Sequence, residues 1–197
     1  MKPRLILIGG GGHCASCIDV IEQEGRFEIV GILDNNITEK ALLGYSILGG
    51  DDSLGQLRPS CDYVLVTVGQ IKSPSVRIRL YYHAKSLGFR LPAIISPRAY
   101  VSRHAAIGEG TIVMHDTLVN SRAVVGNNCI INTKALVEHD ALVEDHCHIS
   151  TAATINGGCI VRKGTFVGSN AVTKECVQTK EGDFIKAGSL FMGLTYE

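Results

Sequence analysis

The chain has 197 residues, 45% of them apolar, with 19 basic and 19 acidic side chains that cancel to a formal net charge of zero. That length holds one large domain or two small ones, and the composition is that of a chain able to bury a core. Zero net charge gives no long-range field to gather nucleic acid or an anionic membrane. No segment approaches the roughly 20 apolar residues needed to cross a bilayer, and seven cysteines in no disulfide-framework spacing fit a reduced, cytoplasmic protein.

In chain order, the apolar run Leu5-Ile6-Leu7-Ile8 stops after four residues at a glycine cluster, too soon for a signal peptide, and reads as a buried strand. Gly9-Gly10-Gly11-Gly12 is a tight turn, after which Cys14, Cys17, Ile18 and Ile21 repeat at helical spacing. A second strand, Ile29 to Leu33, ends at Asp34-Asn35. A third, Tyr63 to Val68, ends at Gly69; Ser73-Pro74 then reads as the cap and first turn of a helix stopped near Gly88. Residues 1–92 are thus expected to form a small Rossmann-like βαβ domain.

The glycine turn presents backbone N–H groups at a helix N-terminus, a setting for a phosphate or diphosphate. Gly10-x-Gly12-x-x-Ala15 matches the permissive dinucleotide fingerprint, but the segment has room for about one mononucleotide half, which favours a single nucleotide over NAD. Glycines in an unliganded turn are the plainer reading. Cys14-x-x-Cys17 has the spacing of a redox or zinc pair, yet no second pair exists and both fall on the apolar helix stripe, so core packing is favoured.

From Ile95 to about Val172 every sixth residue is Ile or Val: thirteen positions in a row, from Ile95 and Val101 through Val137 to Val167. With about one residue in five of either type, chance odds are on the order of one in a billion, far beyond strand alternation. A second column, two residues before each next lead, holds only Ala, Cys and Thr, including Cys129, Cys147 and Cys159. Residues two apart share a strand face, so each hexad is a short strand filling a narrow interior, followed by a turn rich in Gly, Asn and Ser. Three such hexads close one triangular coil. The outward position between the columns is apolar too, at Ile112, Leu118, Val124, Ile130, Leu136, Leu142, Ile160 and Phe166. Exposed apolar surface of that extent points to a covering partner.

These features together resemble the sugar O- and N-acetyltransferases of the sialic-acid and bacillosamine pathways, over nearly the whole chain. The resemblance is carried by Ile8-Gly9-Gly10-Gly11-Gly12-His13, Leu33-Asp34-Asn35, Val68-Gly69, and the stretch from Asn132-Thr133 through Glu138-His139-Asp140 to His146-Cys147-His148. It implies a Rossmann-like nucleotide-sugar domain at 1–92 and a left-handed β-helix of hexapeptide repeats at 93–197. It implies a homotrimer in the cytoplasm that moves acetyl from acetyl-CoA to the 4-amino group of a UDP-linked amino-deoxysugar, with no metal. Gly11, Gly12, His13, Asp34, Asn35 and Gly69 are implied to hold the nucleotide sugar, His139 to be the general base, and His148, Gly157, Ser169 and Ala187 to line the acetyl-CoA channel. The tail, Ala187-Gly188-Ser189 through Leu190-Phe191 to Tyr196, departs from the Gly-x-Pro-Ala common in relatives, and Asn35 stands where a second acid is usual.

The repeat geometry tests the His139 assignment independently. One coil before and after it stand Ser121 and Gly157, which leave a slot, and Asp140 can fix its tautomer. His115 stacks with Thr133, Thr151 and Ser169 at another corner and is the weaker candidate. His148, nine residues on, falls on the face opposite the His139 corner, so the two are expected to meet only across a subunit interface. Three alternatives stand beside this reading: sugar O-acetylation by the same base, a γ-carbonic-anhydrase-like zinc site built from His115, His139, His146 or His148, and a non-catalytic nucleotide-sugar scaffold.

Overall fold

The structure, a computed structural model, describes residues 1–36 and 38–193. The first unit is a five-stranded sheet in the order β3-β4-β2-β1-β5, with β1 Arg4–Ile8, β2 Glu28–Leu33, β3 Ala41–Leu42, β4 Tyr45–Gly49 and β5 Tyr63–Val66. All pairings are parallel except β3 with β4. In β1, Leu5 and Leu7 face helix α1 (Gly12–Glu24) while Ile6 and Ile8 face helix α3 (Ser75–Ser86). Burial on both faces explains why the strand reads as an unbroken apolar run. Between β4 and β5 lie a 3₁₀ turn at Asp51–Ser53 and the single-turn helix α2, Leu54–Leu57.

The β3–β4 hairpin was not anticipated. Its two-residue turn has Leu43 and Gly44 at φ +49° and +88°, and Leu-Gly carries none of the Asn-Gly or Asp-Gly signal that marks such turns. The expected strand at 63–68 ends at Val66, and α3 begins at Ser75 with Pro74 as its cap residue.

The second unit is a three-sided prism of short strands, each stacked on the strand three hexads before it. The first face starts at Ile94–Ile95 and runs to Phe184–Ile185; the second runs from Tyr100–Val101 to Leu190–Phe191; the third runs from Ala106–Ile107 to Ile160–Val161. All ladders within it are parallel, with leads stacked on leads, as Val119 on Val137 and Val137 on Ile155. This is the parallel β-helix expected from the hexads, left-handed as the resemblance implied. Leads and small residues alike fill one core, where Val137, Val143, Ile149, Cys129, Cys147 and Cys159 have at most 1% of their surface exposed. The three cysteines are packing, and so are Cys14 and Cys17 against β1.

The prism outruns its apolar signature. Strands continue past Val172 because Thr173, Thr179, Ile185 and Phe191 keep the lead phase. Threonine has nearly the shape of valine, and the buried hydroxyls of Thr173 and Thr179 accept the N–H groups of Asn156 and Arg162. Of the tail read from the sequence, residues 194–196 lie outside the described residues.

A second periodicity emerges at the corners. From Gly110 to Gly188 every sixth residue is left-handed, with φ between +52° and +71°. That position lies two places beyond the Gly, Asn and Ser site read from the sequence, and side chains such as Arg122, Lys134 and Ala152 occupy it. A non-glycine residue there costs about 1–2 kcal/mol, less for Asn or Asp.

The outward apolar row divides by face. On the first face Ile94, Ile112 and Ile130 are fully buried with Cys17 and Ile18 of α1 in one cluster. The chain's own first unit covers this face, where a second copy was expected. On the other faces Leu118, Leu136, Leu142 and Ile160 stay half-exposed, and Tyr100 and Leu190 reach 63%.

Because Ala152 holds φ +55° with no glycine freedom, Ala152→Gly is expected to raise unfolding stability by about 1 kcal/mol in urea. An unchanged or lower midpoint would contradict the corner assignment.

Candidate active site

The glycine turn is built by close approach. A Cβ on Gly9 would lie 2.4 Å from Val68 Cγ2, so only glycine lets β1 turn against the end of β5. Helix α1 then starts with Gly11 as an N-cap lacking a side chain and with no acid in its first turn, which leaves the first N–H groups unclaimed by side chains. Asp34, at the end of β2, accepts the N–H of Gly10 at 2.7 Å and that of Asn36 at 2.7 Å, so it buttresses the turn. Asn35 pairs reciprocally with Asp51: its amide donates to the carboxylate at 3.0 Å and its oxygen accepts the Asp51 N–H at 2.9 Å.

All six residues expected to hold a nucleotide sugar, Gly11, Gly12, His13, Asp34, Asn35 and Gly69, line one cleft of about 540 Å³. Asp51 and Arg79 line it as well, joined by an ion pair at 3.4 Å. Neither was found in the sequence, because Asp51 follows the unanticipated β4 and Arg79 sits on an otherwise ordinary helix.

A second cleft, of about 690 Å³, shares Gly12, His13 and Gly69 with the first and continues under the first unit to Asn132, Thr133, His148 and Thr151 of the prism. His148 is 6% exposed. Its Nδ1–H donates to the Gln70 carbonyl, its Nε2 accepts from Asn132 at 3.2 Å, and its backbone N–H donates to Thr165 at 3.0 Å. Burial pushes its imidazole down to about 4. Both of its ring nitrogens are thus engaged within the chain. It lines the cleft that runs beneath the chain's own first unit. His13, at the start of α1, is pushed down to about 3 by burial and then by the nearby Arg77 and His148.

The third cleft lies at the corner after the second face and holds about 740 Å³ among Glu138, His139, Asp140, Asn156, Gly157, Gly158, Glu175 and Cys176. His139 is exposed over 62% of its side chain and its Nδ1 meets Asp140 Oδ2 at 2.8 Å. With the proton assigned to Nδ1, the Nε2 lone pair points outward. Asp140 holds the left-handed corner position at φ +61°, a conformation that aspartate tolerates. Arg122, one coil below, grips the same carboxylate with Nε to Oδ1 at 2.6 Å and Nη2 to Oδ2 at 2.8 Å. This bond, then the one from His139, holds Asp140 down to about 2. Arg122 was not anticipated, although its place one coil before Asp140 is legible from the repeat. The slot expected beside His139 is tight: a Cβ on Gly157 would stand 2.9 Å from its Cε1 and Nε2.

The expected acetyl-CoA residues do not gather in one chain. Gly157 belongs to the His139 corner, whereas Ser169 and Ala187 stack one coil apart with Thr133 and Thr151 at the corner before the second face. His115 shares that column, and both its nitrogens are used, by Ser96 at 2.6 Å and by Asp19 of α1 at 2.7 Å. His146 is fully buried with Nδ1 facing the Asn128 amide at 3.0 Å. Among the described residues no group of three His, Cys, Asp or Glu side chains is placed to hold a metal ion, and no helix is long and apolar enough to cross a membrane.

The depressed histidines set an acid limb. Below the ordinary value of about 6.5 the unfolded chain takes up protons that folded His148 and His13 refuse, so stability falls as pH drops from 6.5 toward 4. Each such group contributes a slope of up to about 1.4 kcal/mol per pH unit in that window. His148→Asn is expected to flatten the fall in thermal midpoint between pH 6.5 and 4; an unaltered slope would contradict a neutral, buried His148.

Residues 4–83 match the family described as the PglD N-terminal domain. The chain is similar to the acetyltransferase domain of PglB from Neisseria gonorrhoeae FA1090, at 29% identity and TM-score 0.91, over 98% of this chain and 92% of that one. It is equally similar to PerB from Caulobacter crescentus, at 29% identity and TM-score 0.90, over 98% and 90%. WeeI from Acinetobacter baumannii AYE, at 18% identity and TM-score 0.63 over 96% of each chain, shares the fold. No curated protein sequence matched. With the glycine-turn domain at its start, the hexapeptide prism behind it and these two whole-chain likenesses, the chain carries a PglD N-terminal domain and is similar throughout, in sequence and in fold, to sugar acetyltransferases of the hexapeptide-repeat family.

Proposed function

We propose that the protein transfers acetyl from acetyl-CoA to the 4-amino group of a nucleotide-linked amino-deoxysugar, with His139 as general base. The observation that carries this is the His139 corner: an outward imidazole nitrogen, a carboxylate on the other nitrogen, and a glycine that keeps the ring's place open. The neisserial relative was solved with acetyl-CoA and the Caulobacter one with CoA and GDP-perosamine, which supports the same pair of substrates here. UDP is the nucleotide implied by the sequence resemblance. A GDP sugar is the second reading, favoured by the perosamine complex.

The nucleotide spans the first cleft, with its diphosphate over the N–H groups of Gly11, Gly12 and His13 and its ribose toward Asp34 and Asn35. The sugar extends past Gly69 into the cleft beside His148. The amine attacks the thioester carbonyl as His139 Nε2 takes its proton; the new N–C bond forms, the C–S bond breaks, and CoA leaves as the thiolate. Asp140, kept ionised by Arg122, steadies the imidazolium.

In one chain the His139 cleft shares no residue with the other two. A homotrimer, packed through the half-exposed rows of the second and third faces, brings His139 of one copy to the sugar held by the next. CoA then runs between copies past Gly157 on one side and Ser169 and Ala187 on the other.

The test is to supply UDP- and GDP-linked 4-amino sugars with acetyl-CoA and follow thiol release. Sugar-dependent release with an acetylated product is expected, and none with any amine or alcohol acceptor would leave a binding scaffold instead. His139→Ala should lower turnover on the order of 10²- to 10⁴-fold with folding intact. Gly157→Ala, which displaces the ring, should cost about tenfold or more in kcat with little change in thermal midpoint. Near-normal turnover in the first variant would remove His139 from the chemistry.

A further inference from the structure

Arg77 is the largest of the fully buried side chains, 1% exposed, on α3. Its Nη1 donates to the carbonyls of Val66 and Val68 at 2.8 and 2.7 Å, and its Nη2 donates to Asn128 Oδ1 at 2.9 Å and to the Asn128 carbonyl at 3.3 Å. Its Nε has no partner. Among the described residues no carboxylate forms an ion pair with it. Every acceptor it meets is neutral.

A role as a clamp between the first unit and the prism accounts for the hydrogen bonds and leaves the charge unexplained. Burying a cation without a counter-charge is costly, and a neutral amide could bridge the same carbonyls. The location supplies a reason. Arg77 bonds the carbonyl of Val68, which lines the nucleotide cleft beside Gly69. It is also close enough to bear on the protonation of both His13 and His148. It therefore stands behind the floor that joins the first two clefts, near the uncapped first turn of α1.

We infer that Arg77 is an electrostatic positioning residue: its unpaired buried charge is the fixed counter-charge for the diphosphate of the substrate, acting through the cleft floor without touching the ligand. This rests on the nucleotide-sugar reading above. In a low-dielectric seam such a charge is screened little by salt or water, so it favours a ligand according to its charge and leaves neutral recognition alone.

The readout is the ratio of dissociation constants for a nucleoside monophosphate and its diphosphate, measured by calorimetry with UMP and UDP and with GMP and GDP. That ratio isolates the second phosphate from base and ribose contacts. Arg77→Met should cut it about tenfold, and Arg77→Lys, which keeps the charge and loses the fork, should preserve it despite a lower thermal midpoint. Asn128→Asp guards against a variant that fails to fold, because it sets a carboxylate against the guanidinium and His146 can exchange tautomers to keep its bond. The ratio should then fall about tenfold while the thermal midpoint holds or rises. An unchanged ratio in Asn128→Asp, or a ratio in Arg77→Lys as low as in Arg77→Met, would overturn the inference and leave Arg77 a clamp. Failure of the wild type to bind either diphosphate would overturn the nucleotide-sugar reading and this inference with it.

Discussion

The constraint on which the structure depends is the closure of the prism at three hexads per coil. A branched lead and a small residue from each short strand must fill a triangular interior, and a left-handed residue must turn every corner. Once both hold, residues one coil apart are stacked, whatever their side chains. The stacking places Gly157 above His139 and Arg122 below Asp140, so the imidazole is oriented by a scaffold with no freedom to drift. A flexible loop would need many more contacts to reach that precision.

The second determinant is the seam between the two units. Apolar residues of α1 cover the first face, and a polar chain runs through Arg77, Asn128, His146, Gln70 and His148. Such a seam fixes the glycine turn relative to the prism and carries the cleft at that turn on into the cleft beside His148. It also explains why both ring nitrogens of His148 are bonded within the chain. His139 and the clefts at the glycine turn remain at separate places in one chain, which is why the proposed reaction needs a second copy.

Much of this was legible in the sequence because its signals are local or periodic. The hexads gave the prism, and the inward columns disposed of the cysteines. The corner phase separated His139 from His115, and the family resemblance named six residues that prove to line one cleft at the glycine turn. What was not legible depends on non-local contacts or on chemistry that hides in the pattern. Threonine at the lead positions hid the last coil, since its hydroxyl masks a valine-like shape. The cover over the first face could not be foreseen, because an apolar row does not say whether its partner is another chain or the same one. Arg77 looks like any helix arginine until the two units are docked, and Asp51 until the β3–β4 hairpin is formed. The cover that the first unit lays over His148 was hidden for the same reason.

The claim that the reaction is completed between copies is tested most directly by mixing two disabled chains. One is His139→Ala, with an intact nucleotide cleft. The other is Gly12→Tyr, whose ring would fill that cleft from a position where a Cβ meets nothing within 4 Å, leaving His139 intact. Each assembly alone should be inactive, and co-assembly at equal amounts should restore about a quarter of wild-type acetyl transfer, the fraction of interfaces with both halves whole. Mixed assemblies with no activity would contradict a site shared between neighbouring chains.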